Sequence, residues 1–120
     1  MRVCIIDDDK IYQLLIKKMF KMLNGHVKLK SLLDGQEALQ HFTEDKPTYD
    51  IVLVDLNMPR INGWELLKEM QDKNILPNAH VYIATSSIDY QDQKKAKDYE
   101  IVKGILTKPI TKEKLEQLIF

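Results

Sequence analysis

Residues 50–55 read Asp-Ile-Val-Leu-Val-Asp, and this stretch decides the fold. Four consecutive apolar residues between two acids suit a strand buried on both faces, as in a parallel sheet covered by helices. Working outward, the pattern returns. Val3–Ile6 is a short apolar run that ends in acids, and His80–Thr85 (HVYIAT) and Gly104–Thr107 also read as strands. His26–Ser31 alternates weakly through Val27 and Leu29, as an edge strand does. Helical periods lie between these runs. Ile11, Leu14, Leu15, Met19 and Met22 recur at three-to-four spacing and predict a helix over about 10–23, stopped by Asn24-Gly25, with the methionines read as core packing. Ala38, Leu39 and Phe42 predict a second helix, ending before Pro47. Gly63–Gln71 carries Leu66, Leu67 and Met70 inward. Ile88–Tyr99 reads as a polar helix with Ile88, Ala96 and Tyr99 as its apolar points. Thr111–Ile119 closes the chain with Leu115, Leu118 and Ile119.

Five strand–helix units in strict alternation predict an α/β fold with a parallel sheet and helices on both faces. The 120 residues are too few for an eight-unit barrel, which takes about 250. An open doubly wound sheet of five strands remains, and one domain over 1–120 with no output domain is expected. An excised domain would look the same. Composition narrows the function. Eighteen basic and eighteen acidic side chains give zero formal charge, balanced within each half, so no arm or face points to nucleic acid. A single cysteine, Cys4, excludes an intrachain disulfide and a thiolate cluster; in a buried strand it reads as a small hydrophobe. Apolar runs of about four residues are far short of the ~20 that span a bilayer, and acids follow MRVCII where a signal peptide would continue. A cytoplasmic domain without membrane insertion is expected.

In open parallel sheets, ligands sit at the carboxyl ends of the strands. Strand one ends in Asp7, Asp8 and Asp9, strand three in Asp55, strand four in Thr85-Ser86-Ser87, and strand five in Thr107-Lys108-Pro109. Clustered carboxylates repel unless a cation stands among them. Oxygen ligands without His or Cys nearby suit Mg²⁺. A lysine and a hydroxyl beside them suit an oxyanion such as a transferring phosphoryl group. An aspartate can itself be the nucleophile, giving an acyl phosphate. Asp55, alone at the end of the central strand, is the candidate.

These residues carry a resemblance. Ile5–Asp9 (IIDDD), Val54–Pro59 (VDLNMP), Gly63, Ala84–Ser86 (ATS) and Leu106–Pro109 (LTKP), in this order, resemble the receiver domain of two-component response regulators over nearly the whole chain. The resemblance implies a flavodoxin-like sheet of order 2-1-3-4-5. It implies Asp55 as phospho-acceptor, and Asp7 and Asp8 as the acidic pair for Mg²⁺, with the Asn57 backbone carbonyl completing the metal site. It implies Thr85 as the hydroxyl that senses the phosphoryl group, Lys108 as its cationic partner, a cis Lys108–Pro109 bond, and Gly63 as a turn glycine. The implied partners are a histidine kinase or histidine phosphotransfer protein as donor and a protein target reading the 88–119 surface, with a homodimer on phosphorylation as an option. Such a domain is a signalling switch that catalyses only its own phosphorylation and dephosphorylation. Asn62 replaces an aspartate often found before the glycine. Ile105 replaces an aromatic common three residues before the lysine, and a branched aliphatic cannot swing a polar ring tip between buried and exposed states.

Other readings compete. Asp7-Asp8-Asp9 contains the D-x-D of haloacid-dehalogenase phosphatases, with Asp7 as nucleophile, although the chain is short for that group. A receiver that binds partners without phosphorylation would need none of the key positions, and all are present. A flavin would want a small-residue phosphate loop where three acids stand. Asp9 reads as a helix N-cap. His26, His41 and His80 show no ligand spacing and read as surface or edge residues. Trp64 is either packing or part of a partner patch. Lys94, Lys95 and Lys97 form a solvated face.

Overall fold

A computed structural model of the chain describes residues 1–23, 25–86 and 89–119. The expected helix stop at Asn24, the residue Ser87, the helix start at Ile88 and the terminal Phe120 lie outside the described residues. So does the inward placement of the Ile119 side chain. Strands and helices alternate as β1 (Arg2–Ile6), α1 (Lys10–Leu23), β2 (Lys28–Leu32), α2 (Gly35–Glu44), β3 (Ile51–Val54), α3 (Gly63–Asp72), β4 (His80–Thr85), α4 (Tyr90–Ala96), β5 (Val102–Thr107) and α5 (Lys112–Ile119). All pairings are parallel, and the sheet order is β2-β1-β3-β4-β5. Helices cover both faces. Alternate strand residues therefore feed two cores: Cys4, Ile6, Val52 and Val54 on one side, and Val3, Ile5, Ile51 and Leu53 on the other. No helix among the described residues is long and apolar enough to cross a membrane.

The termini of the helices are chemically marked. The Asp9 side chain accepts from the Ile11 and Tyr12 N–H groups at 3.0 Å each, so it is the N-cap of α1. Asn62 caps α3 in a reciprocal box: Glu65 N–H donates to Asn62 Oδ1 at 2.9 Å, and Asn62 N–H to Glu65 Oε1 at 3.1 Å. An asparagine performs that task as well as an aspartate, which accounts for its presence here.

Several expectations require correction. In α1, Ile11, Leu14, Leu15 and Met22 are 72%, 61%, 54% and 69% exposed, and the buried residues are Gln13, Ile16 and Phe20. Met19 alone of the periodic set leans on the core. The helix carries apolar residues around most of its circumference, so period alone does not tell which face the sheet takes. At the other end of the chain, α4 is short, and Tyr99 falls in the connection after it. β5 begins at Val102, two residues before the glycine at which the sequence pattern places it. His41 also differs from a plain surface histidine: its ring nitrogens sit 2.7 Å from Asp45 Oδ2 and 2.7 Å from the buried Tyr49 hydroxyl.

Candidate functional site

The parallel register delivers the predicted residues to one edge. Beyond the ends of β1, β3 and β5 the backbone makes one more rung. Asp7 N–H donates to the Leu32 carbonyl at 3.0 Å, Asp55 N–H to the Ile6 carbonyl at 3.0 Å, and Lys108 N–H to the Thr85 carbonyl at 2.9 Å. Each of these three residues is thus fixed to its neighbouring strand through its own main chain. Carboxylate oxygens of Asp7, Asp8 and Asp55 lie within 4.8 Å of one another. Asp7 and Asp55 are buried and Asp8 is exposed. Lys108 joins them, with Nζ 2.5 Å from Asp7 Oδ2 and 3.9 Å from Asp55 Oδ1. Thr85, fully buried, ends β4 beside β3. The Lys108–Pro109 peptide bond is cis, as the resemblance implies.

The electrostatics follow from this crowding. The Asp55 carboxyl is pushed up to about 6, first by burial and then by the Asp7 carboxylate, against the pull of Lys108 and of a hydrogen bond from Asn57 N–H. Three carboxylates facing one ammonium leave an excess of negative charge. Among the described residues the clustered ligand groups are all carboxylate oxygens, and this donor set fits a hard divalent cation such as Mg²⁺. Asn57 is exposed and lines, with Asp8, Pro59, Trp64 and Asp92, an open groove of about 470 Å³ beside the acids.

Gly63 has a steric reason. A Cβ there would press on the Asp55 carbonyl oxygen and come within 2.7 Å of Leu56 Cα, while Gly63 N–H donates to the Leu56 carbonyl at 3.0 Å. The first turn of α3 therefore packs directly on the backbone of the candidate acceptor. Trp64 follows, stacked on Tyr99 at 5.6 Å with Lys95 Nζ 4.9 Å above its ring. It packs the start of α3 against α4 and the segment that follows α4. Of the lysine run, Lys95 is thus engaged. Cys4 is buried, its thiol pushed up to about 12 by burial, which suits an inert core residue.

Two residues near the acids escape a reading by motif. Gln13 is buried in α1 and donates from Nε2 to the carbonyls of Ile5, Asp7 and Leu32 at 3.0, 3.2 and 3.1 Å. It ties α1 to the ends of β1 and β2, including the loop that carries the acidic pair. Tyr12 stands beside it with Lys108 over its ring. The available signal was a polar residue at position 13 in phase with Ile16 and Phe20.

Comparison with known proteins agrees with the geometry. The profile of the response regulator receiver domain matches residues 3–120. The chain belongs to that family, a class of signalling switch in two-component systems rather than a typical enzyme. It is 31% identical to a two-component response regulator from Cytophaga hutchinsonii, with a TM-score of 0.84 over 98% of this chain and 92% of that one. It is 29% identical to the transcriptional regulatory protein CiaR of Streptococcus pneumoniae, over 98% of this chain and 49% of that protein. It is 31% identical to the 3',5'-cyclic-nucleotide phosphodiesterase regA of Dictyostelium discoideum, over 98% of this chain and 15% of that protein. The chain spans half or less of the length of these two curated relatives.

Proposed function

We propose that this receiver domain accepts a phosphoryl group on Asp55 from a phosphohistidine of a histidine kinase or histidine phosphotransfer protein. An Asp55 carboxylate oxygen attacks phosphorus and forms an acyl phosphate. The P–N bond breaks, and its electron pair returns to the donor imidazole. The observation that carries this reading is the convergence of three carboxylates and one ammonium at the ends of β1, β3 and β5. Asp7, Asp8, Asp55 and the Asn57 carbonyl would hold Mg²⁺, which when bound supplies charge neutralisation for the phosphoryl oxygens. Lys108 pairs with those oxygens from the β5 side. Thr85, buried at the end of β4, offers its hydroxyl to the new group.

Two surfaces support the partner reading. Ile11, Leu14, Leu15 and Met22 form an exposed apolar stripe on α1. Lys10, Lys17, Lys18 and Lys21 accompany it, and the helix has no acid. The stripe begins directly after the acidic pair, so a donor that brings its histidine to Asp55 meets this face, and an apolar surface rimmed by acids complements it. On the other side, a groove of about 420 Å³ between α4 and β5 is lined by Gln93, Ala96, Lys97, Val102, Lys103 and Ile105 among others. This is the candidate output surface, within 88–119. Ile105 occupies the place of the family's aromatic and lines the groove.

The test is to incubate the protein with Mg²⁺ and radiolabelled acetyl phosphate and map the label. Label on Asp55 that disappears in Asp55→Asn is expected. Label on Asp7, or steady phosphate release from many monoesters, would support the phosphatase reading instead.

A further inference from the structure

Lys108 has a neighbour that none of the motifs contains. Its Nζ lies 4.1 Å from the centroid of the Tyr12 ring, closer to that ring's face than is needed for a cation–π contact. The ammonium is therefore enclosed by three groups: Asp7 Oδ2, Asp55 Oδ1 and the aromatic face. Tyr12 is rigidly placed. Its N–H is held by the Asp9 side chain at the cap of α1, and the next residue, Gln13, anchors the same turn to the ends of β1 and β2. The ring thus shares one framework with Asp7, whose Oδ1 also accepts the Asp9 N–H at 2.9 Å.

The phenol oxygen takes no part in holding the lysine. It is buried and has no hydrogen-bond partner among the described residues. Burial first, then Asp7 and Asp55, push its ionisation well above the ordinary phenol value, so the ring stays neutral and its face is what the ammonium meets.

We propose that Tyr12 is a positioning residue for Lys108: its ring face holds the ammonium over the gap between Asp7 and Asp55, poised for a phosphoryl group on Asp55. This rests on Asp55 as acceptor. Lysine carries a long flexible stem, and a cation that must search its rotamers pairs less effectively with a new anion than one held in place. The contact also biases the resting state. Lys108 is tied to Asp7 and the ring, leaving Asp55 with the weaker, longer contact. Asp55 is thus held by the weaker of the two ion pairs before it reacts.

The experiment uses lysine-labelled protein and reads the Lys108 ε-methylene and ammonium signals by NMR, without metal or phospho-donor. A lysine over a ring is shifted upfield by the ring current. Wild type and Tyr12→Phe should both show the shift, and Tyr12→Leu should lose it. Labelling by acetyl phosphate should be within about twofold of wild type in Tyr12→Phe and about three- to tenfold slower in Tyr12→Leu. An unshifted Lys108 in wild type overturns the proposal without any variant, so a failure of Tyr12→Leu to fold leaves it testable. A Tyr12→Phe protein as slow as Tyr12→Leu also overturns it. Absence of label on Asp55 in wild type would instead overturn the acceptor reading, while the resonance shift still decides the contact.

Discussion

Replacing Asp55 by asparagine should stabilise the fold by an amount that depends on pH. Asp55 is 6% exposed. Its carboxyl is raised from 3.8 to about 6, by burial first and by Asp7 next. The folded protein therefore holds a proton there more readily than the unfolded chain. The stability tied to that proton is fully present below about 3.8 and is lost as pH rises through about 6. A rise of about two units corresponds to roughly 3 kcal/mol against the ionised form at neutral pH. An amide of the same shape carries no charge and avoids that loss. At about pH 7.5 the Asp55→Asn protein should be more stable by ~3 kcal/mol, or ~10 °C in melting temperature for a domain of this size. Near pH 4 the gain should shrink towards zero. Thermal melts followed by far-UV circular dichroism, in low salt and without divalent cations, measure both. Equal melting temperatures at about pH 7.5, or a gain of the same size at both pH values, would refute the account of an acidic site held together against its own repulsion.

Other expectations follow from the same geometry. Millimolar Mg²⁺ should raise the melting temperature of wild type by relieving the repulsion among Asp7, Asp8 and Asp55, and should raise that of Asp55→Asn less; a flat response to tens of millimolar would remove the metal site. Gly63→Ala drives a methyl group into the Asp55 and Leu56 backbone and should cost about 1–3 kcal/mol or more, read by urea unfolding. Leu14→Ser with Leu15→Ser removes exposed apolar surface, so stability should change by less than about 1 kcal/mol. Phosphoryl transfer from a phosphohistidine donor should slow in that protein while labelling by acetyl phosphate stays unchanged; equal slowing of both would argue against a docking role for α1.

Much of the site is legible in the chain because its determinants are local. A strand buried on both faces must be continuously apolar, so Ile51–Val54 and Val3–Ile6 stand out, and the acids that end them must then lie at the carboxyl edge. Asp55, Asp7 and Asp8 were readable for that reason, and Lys108 from the shorter run that precedes it. Capping is equally local, and Asp9 and Asn62 cap the helices they precede. The face of α1 was not readable. Two sets of residues at helical spacing compete there, and burial goes to the one that contains Gln13, whose amide finds three carbonyls at the sheet edge. That match exists only after β1 and β2 are side by side, and no periodicity contains it. The ends of α4 and β5 shifted for a related reason: pairing with β4 carries β5 back to Val102, through a register irregularity at Val81/Tyr82.

The sequence alone determined that five strand–helix units would form a parallel sheet, and that acids, a hydroxyl and a lysine would stand at its edge, since hydrophobic period and strand direction are properties of contiguous residues. Only the tertiary structure decided how these groups meet. Lys108 pairs with Asp7 across 101 residues and rests on the ring of Tyr12, and the Asp55 carboxyl is raised by burial and by that same Asp7. Coulomb and cation–π energies depend on distance in space, which the chain acquires only when β1, β3 and β5 are laid in register and α1 settles on them.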